Sequence, residues 1–363
     1  MLPRALRRSP ILLFALSIFF PVRAAAQSQS NTGYGPLPVF ELHSGFWINL
    51  HHTLYYEARQ RTAAVSPGRS SKTSGPSLRT APDAKLALTP AEQHLWDDAV
   101  AYYAANYAAK DLLFSSELTQ LKDQLGDFED CDELSGRKRK FCDAGLPAKL
   151  TQVLEAAAPL YRAHLWLDHD RANRRWIMRV APLVREQGVG LSERLADIYQ
   201  TRWPHQKIRV DVTGYANGTG AYTTADPLRV TIASLDSRNQ GAQALEVLFH
   251  EASHSIAEPV QAAIIRECHQ RDKAIPRDLW NALVFYTTGE VIRPVLGSSP
   301  ASAGDQDGTT SVPGGGYTPY AVREGLYQRG WSDYFKLLQR FWQPYLDGGA
   351  SFDDAIARMV SSL

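Results

Sequence analysis

The stretch "LRVTIASLDSRNQGAQALEVLFHEASHSIAEP", Leu228 to Pro259, decides how this chain is read. It opens with β-branched alternation suited to a strand and passes through a polar loop. From Ala242 to Glu258 no helix breaker intervenes, and Leu245, Leu248, Phe249 and Ile256 share one apolar stripe. On that helix His250 and His254 stand four residues apart, with Glu251 between them. Positions i and i+4 lie above one another on a helix, so both imidazoles can face one ion. Glu251 falls about 100° further round, beside the site.

By chance this five-residue pattern occurs in roughly one or two chains per hundred of such composition, so its weight comes from context. Two histidines beside an apolar stripe are costly to bury unpaired, and a cation satisfies both. Zinc in that position would lower the pKa of a bound water towards about 7, where a neighbouring carboxylate can complete its deprotonation. Pro259 is expected to end the helix. Arg229 to Ser234 is expected to be a sheet edge lining the cleft, with which an extended peptide can pair through its backbone.

Upstream, "IRVDVTGYANGTGAYTT" has the texture of strands, with Asn217-Gly218 as the turn. Helical patterns fill Ala148 to about Gln200. Thr89-Pro90 followed by Glu92 marks the start of a long helix running to Phe114, and His43 to Arg61 reads as another. Two segments rich in Ser, Pro, Thr and Gly, 62–85 and 297–316, bury too little apolar surface to fold and read as flexible insertions. The expected architecture is α+β and mainly helical, with one small sheet just before the histidine helix. A flexible lead-in over 27–39 precedes a single domain over 40–363.

At the N-terminus, Arg4, Arg7 and Arg8 precede the apolar run Ile11–Phe20, with small residues at Ala24 and Ala26. This is the pattern of a cleavable signal peptide, residues 1–26, so the expected location is secreted or periplasmic. The apolar run is short of the roughly 20 residues that span a bilayer, so no membrane anchor is expected after cleavage. Cleavage removes four arginines and no acid, taking the formal charge from +1 to about −3. That balance gives no electrostatic reason to expect nucleic acid or an anionic membrane as partner. Eight tryptophans and sixteen tyrosines imply a substantial core.

Of three cysteines, Cys131 and Cys142 bracket the charged stretch "DELSGRKRKF". Export permits a disulfide between them, leaving Cys268 as a buried structural thiol.

The strand, loop and "HEASH" helix together resemble the zincin metallopeptidases over about residues 208–295. The resemblance implies that His250 and His254 are zinc ligands and Glu251 the catalytic base. Metzincins are excluded, because their further glycine and histidine positions hold Ala257 and Val260, and a methionine turn has only Met178 and Met359 to draw on. In the gluzincins the third ligand is a glutamate on a later helix. Here "DLWNALVFYTTGEVIR" offers Glu290, on a stripe with Leu279, Leu283 and Tyr286, with His269, Asp272 and Glu324 as alternatives. Several gluzincins donate a hydrogen bond to the oxyanion from a tyrosine or histidine, a role for which Tyr320 and Tyr317 stand after a glycine run. His164 and His169 fit ordinary hydrogen-bond roles better. The segments "FWINLHHTLYY" and "YRAHLWLDHDRANRRWI" resemble exported bacterial proteins of unassigned chemistry. The expected function is an exported Zn2+-dependent hydrolase acting on a peptide or protein substrate. The alternative is an exported helical binding or scaffold protein whose zinc site is structural or vestigial.

Overall fold

In Ile208–Thr213 the odd-numbered Arg209, Asp211 and Thr213 point one way and Ile208, Val210 and Val212 the other, the period of a strand with two different faces. In the computed structural model, which describes residues 38–65, 88–297 and 316–363, this strand lies inside a four-stranded sheet. In chain order the first elements are β1 (Phe40–His43), α1 (Phe46–Val65), α2 (Pro90–Asn106), α3 (Ser116–Asp127), α4 (Ala148–His164) and α5 (Trp166–Ile198). The strands β2 (Ile208–Thr213), β3 (Ala221–Ala225) and β4 (Leu228–Ala233) follow, then α6 (Ala242–Ser253), α7 (Glu258–Gln270) and α8 (Leu279–Gly297). The C-terminal part holds α9 (Tyr320–Arg323), α10 (Ser332–Leu337), α11 (Gln343–Leu346) and α12 (Phe352–Ser361), with wide helical turns at Tyr327–Trp331 and Leu338–Trp342. All described residues belong to one compact unit, Thr32–Leu363.

The fold is α+β and mainly helical, as expected, but the sheet is assembled differently. Its order is β1-β2-β4-β3, with β1, β2 and β4 parallel and β3 antiparallel to β4. One expectation holds and one fails. Asn217-Gly218 is a turn, closed by the Gly220 N–H donating to the Asn217 carbonyl at 3.0 Å, although the strands it joins are not neighbours, since β2 pairs with β4 and the hairpin is β3–β4 through Asp226-Pro227. The expected edge at Arg229–Ser234 fails: Arg229–Ala233 is an interior strand, and the edges are Phe40–His43 and Ala221–Ala225. A fourth strand, before α1, was hidden in the sequence, because "FELH" is too short for periodicity to show and is held by partners more than 160 residues away.

Both faces of the sheet are covered. Val210, Val212, Val230 and Ile232 join a core with α5, α6, α7, α8 and the C-terminal helices. The other face meets α1, α2, α3 and α4 through Tyr222 and Ala233, and its polar positions are paired. Arg209 donates to Asp211 and Glu129 at 2.8 and 2.9 Å. Arg229 donates to Asp127, and buried Lys122 donates to Thr224 Oγ1. Two charged strand positions can be buried because each meets a carboxylate from the α3 region.

Local signals hold where short-range chemistry decides. Thr89 caps α2 and exchanges bonds with Glu92, and Cys131 is bonded to Cys142. Cys268 is a buried free thiol. The helix begun at Thr89 stops at Asn106 and not Phe114, after which Asp111 accepts backbone bonds in a turn. Residues 1–37, 66–87 and 298–315 lie outside the described residues, so the signal peptide, nearly all of the lead-in and most of both insertions fall there. Thr62–Val65 already belongs to α1.

Candidate metal centre

α6 is buried along nearly its whole length. Leu245, Leu248 and Phe249 are fully enclosed against the sheet, α5 and α8, each contributing about 1.5–3 kcal/mol. That burial carries His250 and Glu251 inside with it. The helix ends earlier than its composition suggests. His254 is the C-cap, and Ser255 and Ile256 donate to carbonyls three residues back in a tightened last turn. Pro259 begins the next helix rather than ending this one, in the first turn of α7, where a missing N–H costs nothing.

His250, Glu251 and His254 converge. One ligand atom from each lies within 4.8 Å of the others, and among the described residues no other group of His, Cys, Asp and Glu does this. Tetrahedral zinc with ligands at about 2.1 Å would hold two of them about 3.4 Å apart, inside the 4.8 Å that spans the cluster, so binding would draw the two imidazoles together. The imidazoles suit that role. Burial, with His254 adding to it, holds the His250 pKa well below the ordinary range, and burial alone lowers His254 to about 4. Both are therefore neutral at pH 7 with lone pairs free to bind a cation. His250 Nδ1 is buried without a hydrogen-bond partner. Their donor chemistry fits zinc.

Glu251 is set by the edge strand. Thr223 Oγ1 lies 2.8 Å from both the Glu251 carbonyl oxygen and its Oε2. Burial pushes this carboxyl up to about 7 against the lowering effect of the Thr223 bond, so it can both take and give a proton near neutrality. No sequence signal singled out Thr223, because its contact spans 28 residues.

Glu290 does not join the cluster. It pairs with Arg293 at 2.6 Å and lines a groove of about 400 Å³ with Tyr286, Phe335, Gln339 and Gln343. The reason lies in the helical phase. The face of α8 turned to the histidines carries Phe285, whose ring stacks on His250 at 3.6 Å, and Trp280, edge-on to His254 at 5.4 Å. Glu290 is five residues past Phe285, about 140° round the helix. The stripe through Leu279, Leu283 and Tyr286 faces the core without facing the metal residues. His269, Asp272 and Glu324 are also outside the cluster.

Tyr317 and Tyr320 reach α6 one turn before His250. The Tyr317 hydroxyl donates to Glu246 Oε2 at 2.6 Å, and the Tyr320 N–H donates to the same oxygen at 2.9 Å. The Tyr320 ring lies parallel to Phe285 at 5.9 Å, continuing the stack over His250. Burial drives the Tyr320 phenol up to about 12, so it stays protonated. Close approach here depends on Gly289, where a Cβ would meet Pro319 at 2.7 Å and Glu246 Oε1 at 3.2 Å. Glu246 is the residue missed from sequence. A carboxylate inside "ALEVLFH", one turn before His250, was the available signal. His164 and His169 play ordinary parts, beside Glu92 and the buried Tyr161 hydroxyl respectively.

No protein-family model matches this chain, and no curated protein or solved structure matches it.

Proposed function

We infer that this chain is a zinc-dependent hydrolase, most simply a metallopeptidase exported by its N-terminal segment. The observation that carries this reading is the buried His250–Glu251–His254 cluster, two neutral imidazoles beside a carboxyl titrating near 7. His250 and His254 would hold the ion. Zinc, when bound, supplies Lewis acidity and a water of lowered pKa. Glu251, oriented by Thr223, takes the proton of the attacking water and returns it to the leaving amine. The unpaired edge of β3 runs beside Glu251 and would align an extended peptide by backbone pairing.

The scaffold reading has one observation in its favour. Phe285 covers a face of His250, and among the described residues no further His, Cys, Asp or Glu joins the cluster to serve as a third protein ligand beside the two imidazoles. A peptide-library digestion with wild type and Glu251→Gln, each assayed for zinc, separates the two. On the hydrolase reading the variant keeps zinc and loses about 10²–10⁴-fold of its rate. Zinc-loaded wild type that cleaves nothing across the library would overturn that reading and leave a structural site.

A further inference from the structure

The disulfide Cys131–Cys142 closes a loop whose tip carries four consecutive exposed basic residues. Arg137, Lys138, Arg139, Lys140 and Phe141 are five consecutive exposed residues. None of the four basic side chains has an ion-pair or hydrogen-bond partner among the described residues. The Phe141 side chain at the end of the run is 74% exposed, where an aromatic ring ordinarily finds cover.

The loop is built to hold this arrangement. Its base is tied by the disulfide and by the bridge between Ser135 and Asp143. The Glu155 carboxylate on α4 accepts from the N–H groups of Leu134 and Ser135 at 2.9 and 3.0 Å. Glu133 accepts from the N–H groups of Lys138 and Arg139 and interacts electrostatically with Lys138, which organises the tip while offsetting part of its charge. Gly136, at φ +65°, makes the turn, and a Cβ there would meet Asp143 at 2.8 Å. Asp130, Asp132 and Asp143 are exposed at the base, and among the described residues no ion pair joins them to the cations. A near-neutral whole-chain charge therefore averages over a loop whose four exposed cations outnumber Asp132 and Glu133, the two acids enclosed by the disulfide.

We propose that this loop is a docking surface for anionic phospholipid headgroups, with the four cations engaging the headgroups and Phe141 entering the interface. Charge complementarity argues for the partner, since each basic residue near an anionic bilayer strengthens attachment about fivefold, or several-hundred-fold for four acting together. The adjacent bare Phe141 ring favours a lipid surface, because phenylalanine beside basic residues buries at the boundary between headgroups and acyl chains. The disulfide-tied frame means that little ordering entropy is lost on contact. This attachment is peripheral and independent of the metal centre.

The test is co-sedimentation of the full chain with vesicles of phosphatidylcholine alone and of phosphatidylcholine mixed with phosphatidylglycerol, alongside a single-stranded oligonucleotide. Binding only to the anionic vesicles is expected, with release as salt approaches ~1 M, where the screening length falls to about 3 Å. The combined variant Arg137→Gln, Lys138→Gln, Arg139→Gln, Lys140→Gln should lose that binding. Phe141→Ser should weaken it several-fold while retaining the salt dependence. All five side chains are exposed, so unchanged circular dichroism will show that the variants fold. Equal binding to both vesicle types, no binding to either, or full binding by the combined variant overturns the proposal. Retention of the oligonucleotide but not of anionic vesicles overturns it too, assigning the loop to nucleic acid.

Discussion

Replacing Glu246 by glutamine should make stability less dependent on pH, in a direction and size that follow from its surroundings. Glu246 is 1% exposed, and burial pushes its carboxyl from the ordinary 4.5 up to about 7, despite the donors Tyr317 and Tyr320 and the positive Arg323. Below about pH 4.5 the group is protonated in both folded and unfolded chains and costs nothing. Between 4.5 and 7 the unfolded chain gives up the proton while the folded one keeps it, so stability falls by about 1.4 kcal/mol per pH unit. Above 7 the loss is complete, at about 3 kcal/mol. Glutamine has nearly the same shape, and its amide oxygen can accept both bonds without ionising. Urea unfolding of wild type and Glu246→Gln from pH 4.5 to 8 should show the variant gaining about 3 kcal/mol relative to wild type. Titrations common to both proteins cancel in that difference. Tyr317→Phe removes a donor that favours the charged form, so it should extend the wild-type decline to higher pH. Parallel pH profiles for wild type and Glu246→Gln would refute the argument, showing that water reaches the carboxylate or that it ionises normally.

His254→Ala should abolish zinc retention measured by atomic absorption on the purified chain, and full occupancy would place the ligands elsewhere. Glu290→Gln should leave zinc content unchanged, because this carboxylate pairs with Arg293 and faces the groove beside Phe335. Loss of zinc in that variant would show that α8 turns towards the cluster in solution. Replacing Cys131 and Cys142 by serine should lower unfolding free energy by about 2–3 kcal/mol, the closure entropy of an 11-residue separation, read from denaturant unfolding with the slope fitted for each protein, because the released loop lets the unfolded chain expand.

Local chemistry alone settled a good part of this molecule. The Thr89 capping box, the Cys131–Cys142 pair, the helical patterns over 148–200 and the one-face placement of His250 and His254 all depend on residues within a few turns of one another. Such interactions survive whatever the rest of the chain does, so spacing predicts them. What the tertiary structure decided is which distant faces meet. Leu228–Ala233 is interior, with Ala221–Ala225 at the edge beside it, because β2 and then β1 take the positions on its other side, and nothing inside "LRVTIA" records that order. Glu290 and Phe285 sit on one regular helix, and only the packing of α8 against α6 put the aromatic ring over His250 and the carboxylate beside Arg293. Glu246, Gly289, Tyr317 and Thr223 gained their roles in the same way, through contacts between elements that sequence spacing does not encode. Helical period fixes the angle between two side chains on one rod, but the rotation of that rod against its neighbours is set by the summed packing of the whole core.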